Sequence, residues 1–417
     1  MNESPADPPK AALVWRAGMF FGFTFLWMAV ANVAPQAYLL EVAPERKGLY
    51  LSMILLLGTL GAAVGVSLSR RHVARGLRLS RVRLLLGTIA YAAPLLAVVA
   101  QLEPVWAYCG AYVVFRFASN WLFNISDNTL VDAAGAEGLG THTSAAVGFQ
   151  VVGMMMGPLA FALWSGQTAI TLGVAVAVVV LTVLTVSGVA GKSEPEQENS
   201  DSELVQRRTG ATLSGPGRLF VAHCVLSYMA SLGMFAQLIY LVSDWLEVEG
   251  PERVGGILIA GVGLCSLATV VVSSRLEPSR CVRRSLVIAA LCGLAMVGVM
   301  VTRPSVPGLV LVGVLAGVSG GRFLLLSRLI ASSWTGAVGR DGMLSRYNNL
   351  GNVASILVFA CFAALAGVLG ESHVAYMPVM LGLFALLFIA AGVVVLFIPK
   401  AAFEGARRGT SLRSSKP

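Results

Sequence analysis

The sequence predicts an all-α membrane protein with about twelve transmembrane helices in two six-helix bundles. Three observations support this prediction. Of the 417 residues, 56% are hydrophobic and 12% are charged, whereas soluble globular domains carry about 25% charged residues. The apolar residues form runs of about 20, which is the length that crosses a bilayer as a helix. One long polar stretch, residues 191–218, separates these runs into two sets of six.

The predicted spans follow the apolar windows along the chain. They are 18–40, 49–68, 84–101, 105–125, 145–165, 168–190, 219–242, 254–272, 285–302, 308–331, 349–369 and 375–398. The polar stretch mixes charged residues with Ser, Gly and Pro, a composition typical of flexible linkers. We therefore predict an N-terminal tail (1–17), an N-terminal bundle (18–190), a linker (191–218), a C-terminal bundle (219–398) and a C-terminal tail (399–417).

The basic residues are distributed unevenly between the spans. The tails and the gaps after even-numbered spans hold 23 Lys and Arg residues, and the gaps after odd-numbered spans hold four. Because Lys and Arg concentrate in cytoplasmic loops, we expect a multi-pass protein of the cell membrane with both termini in the cytoplasm. The net charge of +9 comes from basic residues beside the predicted spans, where they lie next to the lipid bilayer. No nucleic-acid partner is therefore expected.

Several features recur at nearly one offset, which indicates a duplicated six-helix unit. The recurring features are Ser69-Arg70 with Ser274-Arg275 (offset 205), Arg116-Phe117 with Arg322-Phe323 (offset 206), and Asn32 with Gln237 (offset 205).

Two local patterns in the N-terminal half match a known family. The gap after the second span carries Gly65, Arg70 and a basic run, with Ser69 where that family has Asp and His72 where it has Gly. The fourth span carries Arg116 at the depth of the family's buried arginine. On these residues and the two-bundle organisation, the chain resembles the major facilitator superfamily over essentially its whole length. The resemblance implies a transporter that works by alternating access, with the first, fourth, seventh and tenth spans lining the central site.

The fifth span adds a third match within the same family. Its sequence GFQVVGMMMGP supplies Gly148, Gly153, Gly157 and Pro158, and it resembles a glycine-rich pattern of proton-coupled exporters. Phe161 and Ala162 stand where further glycines are usual. A plainer interpretation remains open, in which the glycines allow close helix packing and the proline bends the helix.

The most informative polar residues lie on one face of the fourth span. Arg116, Asn120, Asn124 and Asp127 fall within a stripe about 80° wide on a helix, and the other faces are apolar. A charge at the depth of Arg116 costs about 2.5–3.5 kcal/mol on insertion scales, so it requires a polar cavity or a partner. The stripe therefore predicts one wall of a substrate path. The alternatives are a structural arginine that binds carbonyl groups, and asparagines that join helices.

Other polar residues extend this predicted site. Asp127 and Asp132 are interpreted as gate residues that pair with arginines in 70–83, and Asp127 is by elimination the best carboxylate for proton coupling. Arg328 is interpreted as a structural residue that reaches the cytoplasmic surface. The predicted substrate path is Arg116, Asn120, Asn124, Arg322, Asn32, Gln36, Gln237 and Tyr240; the predicted gate or coupling residues are Asp127, Asp132, Arg70 and Arg71.

These observations predict a secondary active transporter, more specifically a proton-coupled exporter of a small organic molecule. An importer of a polar or anionic metabolite is the alternative, with Arg116 and Arg322 on the ligand.

The sequence has no phosphate-binding Gly-x-x-x-x-Gly-Lys-Ser/Thr loop, so direct use of ATP is not expected, and neither is a cofactor or a metal. A membrane enzyme would need converging catalytic groups, and the four histidines are scattered; a sensor without flux would need a large extramembrane domain. We therefore expect a monomeric transporter, with protons as the coupling ion, rather than an enzyme.

Overall fold

Every regular element is helical in the residues that the computed structural model describes. These residues are 17–74, 81–164, 168–190, 215–275, 282–302, 304–338, 340–370 and 373–399. Most of both predicted tails, most of the predicted linker and the side chain of Asp132 lie outside this part. The division of the chain into two bundles and a linker therefore stays a prediction.

Eleven helices follow one another along the described parts of the chain. They are α1 (Met19–Val42), α2 (Lys47–Ala74), α3 (Arg81–Val99), α4 (Val105–Trp164), α5 (Thr168–Ala190), α6 (Gly215–Ala236), α7 (Pro251–Arg275), α8 (Val282–Val301), α9 (Val306–Val338), α10 (Arg340–Leu369) and α11 (His373–Phe397). A single 3₁₀ turn, Pro44–Arg46, precedes α2.

The apolar helices confirm the prediction of an all-α membrane protein. Among the described residues, nine helical segments are long and apolar enough to cross a membrane. The predicted spans 84–101 and 168–190 contain shorter apolar helices, Gly87–Val99 and Ile170–Thr185. The predicted span 105–125 is helical and carries Arg116, Asn120 and Asn124. A total of twelve membrane crossings stays a prediction.

The longest helix, α4, joins two predicted spans but cannot be straight. Its helical backbone continues for 60 residues. The rings of Phe20 and Phe123 are nevertheless 5.4 Å apart, and a Cβ added to Gly153 would lie 2.6 Å from the carbonyl oxygen of Phe21. A straight helix would separate positions 123 and 153 by about 45 Å. The chain therefore turns back between a first arm (105–128) and a second arm (145–164), as the two predicted spans require.

The middle of α1 is a π-helical segment, Trp27–Val33. Two side chains satisfy the backbone groups that this segment and the following proline leave without regular partners. The amide nitrogen of Asn32 donates to the carbonyl of Trp27, five residues earlier, at 3.0 Å. Pro35 has no N–H to offer the carbonyl of Ala31, and the hydroxyl of Tyr112 donates to that carbonyl at 2.9 Å. Such π segments often occur at functional sites.

We call the described residues up to 190 the first half and those from 215 onward the second half. The first helix of the second half is also interrupted. After α6 ends at Ala236, Gln237 leaves the helical conformation, with φ −110° and ψ 4°. A short helix, Leu238–Tyr240, and a π-helical segment, Leu241–Trp245, then complete the crossing. Both halves therefore begin with a helix whose regular hydrogen bonding breaks part of the way across.

The two ends of the bundle can be distinguished by their residues. We call the end that carries Phe20, Phe220 and Arg328 the terminal face, because the described chain begins and ends there. The opposite face carries Lys47 and Asp244. The distribution of Lys and Arg predicts that the terminal face is cytoplasmic.

Two helix pairs join the halves along the length of the bundle. Helix α2 packs against α10, and α7 packs against the second arm of α4. The approach of α7 is close, because a Cβ added to Gly256 would lie 2.8 Å from the carbonyl oxygen of Pro158. A cavity lies in the space between the halves, flanked by these pairs.

Candidate functional site

A cavity of about 250 Å³ lies between the two halves. In the first half it is lined by α1 and α4, and in the second half by α6 to α11. Most of the wall is apolar or aromatic, and amide and hydroxyl groups are scattered among these side chains. Two arginines, Arg116 and Arg328, line it, and among the described residues no Asp or Glu does. The cavity therefore carries positive charge on its wall.

Arg116 is the cationic group nearest the middle of its span. Arg116 is 6% exposed, and its guanidinium carbon lies 5.9 Å from the centre of the Trp27 ring. Within the part of the chain that the structure describes, the guanidinium donates no hydrogen bond, and its Nε is buried without a partner. The cation–π contact with Trp27 offsets only part of the cost of this burial. The geometry leaves Arg116 able to donate to an anion in the cavity.

The predicted polar stripe divides into three different environments. Asn120 lines the cavity beside Arg116 and donates to its carbonyl at 3.0 Å. Asn124 is turned to α2, where its amide donates to the hydroxyl of Ser69 at 2.6 Å. This hydrogen bond explains a buried polar residue at position 69, where the family pattern has Asp. Asp127, at the end of the stripe, is fully buried and takes part in a contact between the halves.

An ion pair joins the two halves at the terminal side of the cavity. A terminal nitrogen of Arg328 lies 2.6 Å from a carboxylate oxygen of Asp127, and the two side chains are 4% and 0% exposed. Arg328 belongs to α9 and Asp127 to α4, so the pair joins the two halves. The guanidinium carbon of Arg328 also lies 5.0 Å from the centre of the Phe20 ring. The interpretation of Arg328 as a residue that reaches the surface is therefore wrong.

A small hydroxyl network lies next to Arg328 in the second half. The hydroxyl of Tyr228 donates to that of Tyr347 at 3.1 Å, and the hydroxyls of Tyr347 and Ser327 are 2.8 Å apart. Tyr228 and Tyr347 both line the cavity. These groups place hydrogen-bonding capacity at the terminal end of the cavity, beside the ion pair.

Gln36 joins the two halves by hydrogen bonds on the opposite side of the cavity. Its amide nitrogen donates to the carbonyl of Phe235 at 3.3 Å, and its amide oxygen accepts from the backbone N–H of Ile239 at 3.0 Å. The hydroxyl of Tyr240 donates to the carbonyl of Gln36 at 3.4 Å. One side chain of α1 thus satisfies backbone groups exposed by the break at Gln237.

A second ion pair between the halves lies beyond Gln36. The ammonium of Lys47 is 2.8 Å from a carboxylate oxygen of Asp244, and these side chains are 11% and 7% exposed. The hydroxyl of Ser243 donates to the same oxygen at 2.7 Å. The ammonium also lies 5.3 Å from the centre of the Tyr240 ring. One ion pair between the halves therefore lies beyond each end of the cavity.

The structure does not bring all predicted path residues to the cavity. Asn32 lines it; Gln36 and Tyr240 lie in the contact at its opposite side. Arg322 is half-buried on α9 and outside the lining, although Ser319 and Phe323 on the same helix belong to it. Gln237 is fully buried at the helix break, and its amide atoms have no partner among the described residues.

The predicted gate arginines lie at the end of α2. Arg70 is half-buried and Arg71 is exposed. Arg328 is one partner of Asp127, and the pairing of Asp127 with arginines in 70–83 stays a prediction. Residues 75–80 lie outside the described part.

The glycines of the fifth predicted span differ in their surroundings. A Cβ added to Gly157 would collide with the carbonyl of Phe25 on α1, and one at Gly153 would lie 2.6 Å from the carbonyl oxygen of Phe21. Gly148 has open space around it. Pro158 lies inside the helix, where α7 packs against it. Two of the three glycines therefore allow the second arm of α4 to approach α1.

Sequence reasoning missed two functional candidates, Arg328 and the pair of Lys47 with Asp244. Each partner lies about 200 residues from the other in the chain, so no local pattern connects them. The available signal was the rarity of charges next to long apolar runs. No group of three His, Cys, Asp or Glu side chains in the described part is placed to hold a metal ion.

Solved structures with the same architecture are membrane transporters. The human organic anion transporter MFSD10 (TETRAN) superposes with a TM-score of 0.60 at 15% identity, covering 92% of this chain and 100% of that one. A point mutant of the nucleoside transporter NupG superposes with a TM-score of 0.65 at 11% identity, covering 93% and 99%. No family model and no curated protein matches the sequence. The chain is a multi-pass membrane protein with the fold of the major facilitator superfamily.

Proposed function

We propose that this protein is a secondary active transporter that moves a small organic molecule by alternating access. The observation that carries this proposal is the cavity between the halves, with an ion pair between the halves beyond each end. If one pair breaks while the other holds, the cavity opens to one side of the membrane only. The likeness to transporters of organic anions and of nucleosides supports a small-molecule substrate.

Asp127 is the residue proposed to couple transport to protons. It is fully buried and bound to Arg328, which itself lines the cavity. A proton on Asp127 removes the negative charge, so the pair loses its electrostatic attraction and the terminal face can open. A buried carboxylate between a cavity and a gate is a common arrangement in proton-coupled transporters.

The proposed direction is export, so the protein acts as a proton antiporter. The glycine pattern around Gly153 and Gly157 supports this direction by resemblance to proton-coupled exporters. The second candidate is an importer of an anionic metabolite, which Arg116 favours because its guanidinium has no hydrogen-bond partner among the described residues. Net flux in vesicles with an imposed pH gradient distinguishes the two, because only the exporter moves substrate against the proton flow.

The proposal also covers orientation, which follows from the distribution of Lys and Arg, and oligomeric state. The protein is a monomer in the cell membrane, with both termini in the cytoplasm, and its terminal face opens to the cytoplasm. The transport cycle uses no cofactor and no catalytic residue.

The test uses purified protein in liposomes with a pH-sensitive dye inside. Adding a transported compound should produce a proton flux opposite to the substrate flux. Asp127→Asn should abolish uphill, proton-driven flux but retain exchange of labelled for unlabelled substrate, because exchange needs no net proton movement. Glu249→Gln is the matched control, since Glu249 is an exposed carboxylate near the opposite face, and it should keep coupled flux.

Coupled flux in Asp127→Asn equal to that of the unmodified protein would exclude Asp127 as the coupling residue. Absence of flux for every compound that binds would exclude transport.

A further inference from the structure

The most unusual group in the cavity is Arg116, because its charge has no ion-pair or hydrogen-bond partner among the described residues. The other cavity arginine, Arg328, is neutralised by Asp127. Arg116 is nine-tenths buried and donates no hydrogen bond to any residue that the structure describes. A buried cation without a partner is costly in a membrane interior, so an anion in the cavity would supply both charge and hydrogen bonds.

The cavity around Arg116 is otherwise suited to an apolar body. Trp27 and Phe123 of the first half, and Phe235, Phe323 and Phe388 of the second, belong to its wall. Aromatic faces and edges bind a flat apolar group by offset and edge-to-face contacts. Because these residues come from both halves, a ligand held among them contacts both halves at once.

The polar groups near Arg116 are amides rather than charges. Asn120 lies one turn from Arg116, and Asn32 lies on the facing π-helical segment of α1. Amides orient a polar ligand by hydrogen bonds without adding charge. The single unpaired positive charge therefore matches a ligand with one negative charge.

The size of the cavity sets an upper limit on the ligand. Its volume of about 250 Å³ lies just below the range of about 300–1,000 Å³ that is typical of small-molecule sites. A guanidinium presents two parallel N–H groups, which match the two oxygens of a carboxylate. We infer that the substrate is a small amphipathic organic monoanion, with its carboxylate on Arg116 and its apolar or aromatic body between Trp27 and the phenylalanines. This inference rests on the transport function proposed above and specifies its substrate class.

The test compares three probes of nearly equal shape and different charge on the purified protein. These are 3-phenylpropionate (anion), 3-phenylpropanamide (neutral) and 3-phenylpropylamine (cation), with affinity measured by thermal shift and by titration calorimetry. Hydrogen bonds to charged groups contribute about 1.5–3 kcal/mol, so the anion should bind on the order of 10- to 100-fold more tightly than the amide. The amine should bind most weakly, because it places a second cation beside Arg116.

Variants assign the preference to Arg116. Arg116→Gln should remove the preference for the anion and leave binding of the neutral amide close to that of the unmodified protein. Arg116→Lys should keep a preference of a few fold, because lysine keeps the charge but lacks the planar fork. Arg253→Gln is the matched control, since Arg253 is an exposed arginine near the opposite face, and it should keep the full preference.

The outcomes separate this inference from the transport proposal. Equal or weaker binding of the anion than of the amide by the unmodified protein would overturn the inference, whatever the variants do. A full anion preference retained in Arg116→Gln would overturn it as well. Flux of neutral compounds but not anions in liposomes would overturn it and leave transport intact. An anion preference in binding without flux of any compound would overturn transport and leave the inference standing.

Discussion

The ion pair between Asp127 and Arg328 gives the sharpest prediction about the conformational cycle. Asp127→Asn removes the carboxylate but keeps the size of the side chain, so the buried Arg328 loses the negative charge of Asp127. Removing one partner of a buried pair costs about 3–5 kcal/mol in the state that holds the pair. Asparagine still accepts a neutral hydrogen bond, so we use the lower value of about 3 kcal/mol. Because each 1.4 kcal/mol changes a population ratio tenfold, the closed terminal face should lose roughly 100-fold in population relative to the open one.

The assay measures access to the cavity from the terminal face. Gly351 is a suitable reporter position, because it lines the cavity and a Cβ added there meets nothing within 4 Å. In a protein without its six native cysteines, Gly351→Cys is labelled with a membrane-impermeant maleimide in vesicles of each orientation. Asp127→Asn should raise the labelling rate from the terminal face by up to roughly 100-fold and lower it from the opposite face.

A charge exchange provides the control for this experiment. Asp127→Arg combined with Arg328→Asp restores an ion pair in the same position, so labelling from the terminal face should return toward that of the reporter protein. Each single reversal places two like charges together and should open the terminal face further. Unchanged labelling in Asp127→Asn, together with equal labelling in the single and double exchanges, would refute the role of this pair as a gate.

Three further predictions concern other parts of the bundle. Asp244→Asn should increase labelling of the same reporter from the opposite face by roughly tenfold or more, because its pair with Lys47 is largely buried, with side chains 7% and 11% exposed, and removal of one partner of a buried pair costs about 3–5 kcal/mol; increased labelling from the terminal face would contradict this assignment. Gly157→Val should lower the melting temperature of the purified protein by an amount equivalent to about 1–3 kcal/mol, because the added methyl groups collide with α1. Gly148→Val should leave the melting temperature unchanged, and equal effects of the two substitutions would show that the close approach is unimportant. Cysteines introduced at Arg71 and Glu249 should be labelled from opposite sides of the membrane, and labelling from one side would contradict the predicted arrangement of the spans.

The amino-acid sequence determined the class of the fold because hydropathy acts locally. A run of about 20 apolar residues has few stable environments other than a bilayer or a buried core. The spans were therefore predictable as helices, even where connections were not. The continuous helical backbone between the two arms of α4 could not be predicted, since no signal in 126–144 distinguishes a helical turn region from a loop.

The helical period predicts which residues share a face of a helix. It placed Arg116 and Asn120 on one face of the fourth span, and both line the cavity. Period alone assigns a residue to a face but not to a neighbour. Asn124 shares that face, yet it lies where α2 approaches and donates to Ser69.

Only the tertiary structure decided which charges meet. Asp127 and Arg328 are 201 residues apart, and Lys47 and Asp244 are 197 residues apart, so their pairing depends on how the two halves pack. The sequence determined that a few charges had to be buried in apolar spans. The packing of the halves determined that two of these charges form a pair at the terminal face and that Arg116 lies in the cavity without an ion-pair partner among the described residues. The physical reason is that hydrophobic burial follows from local composition, whereas an ion pair depends on the distance between two specific atoms.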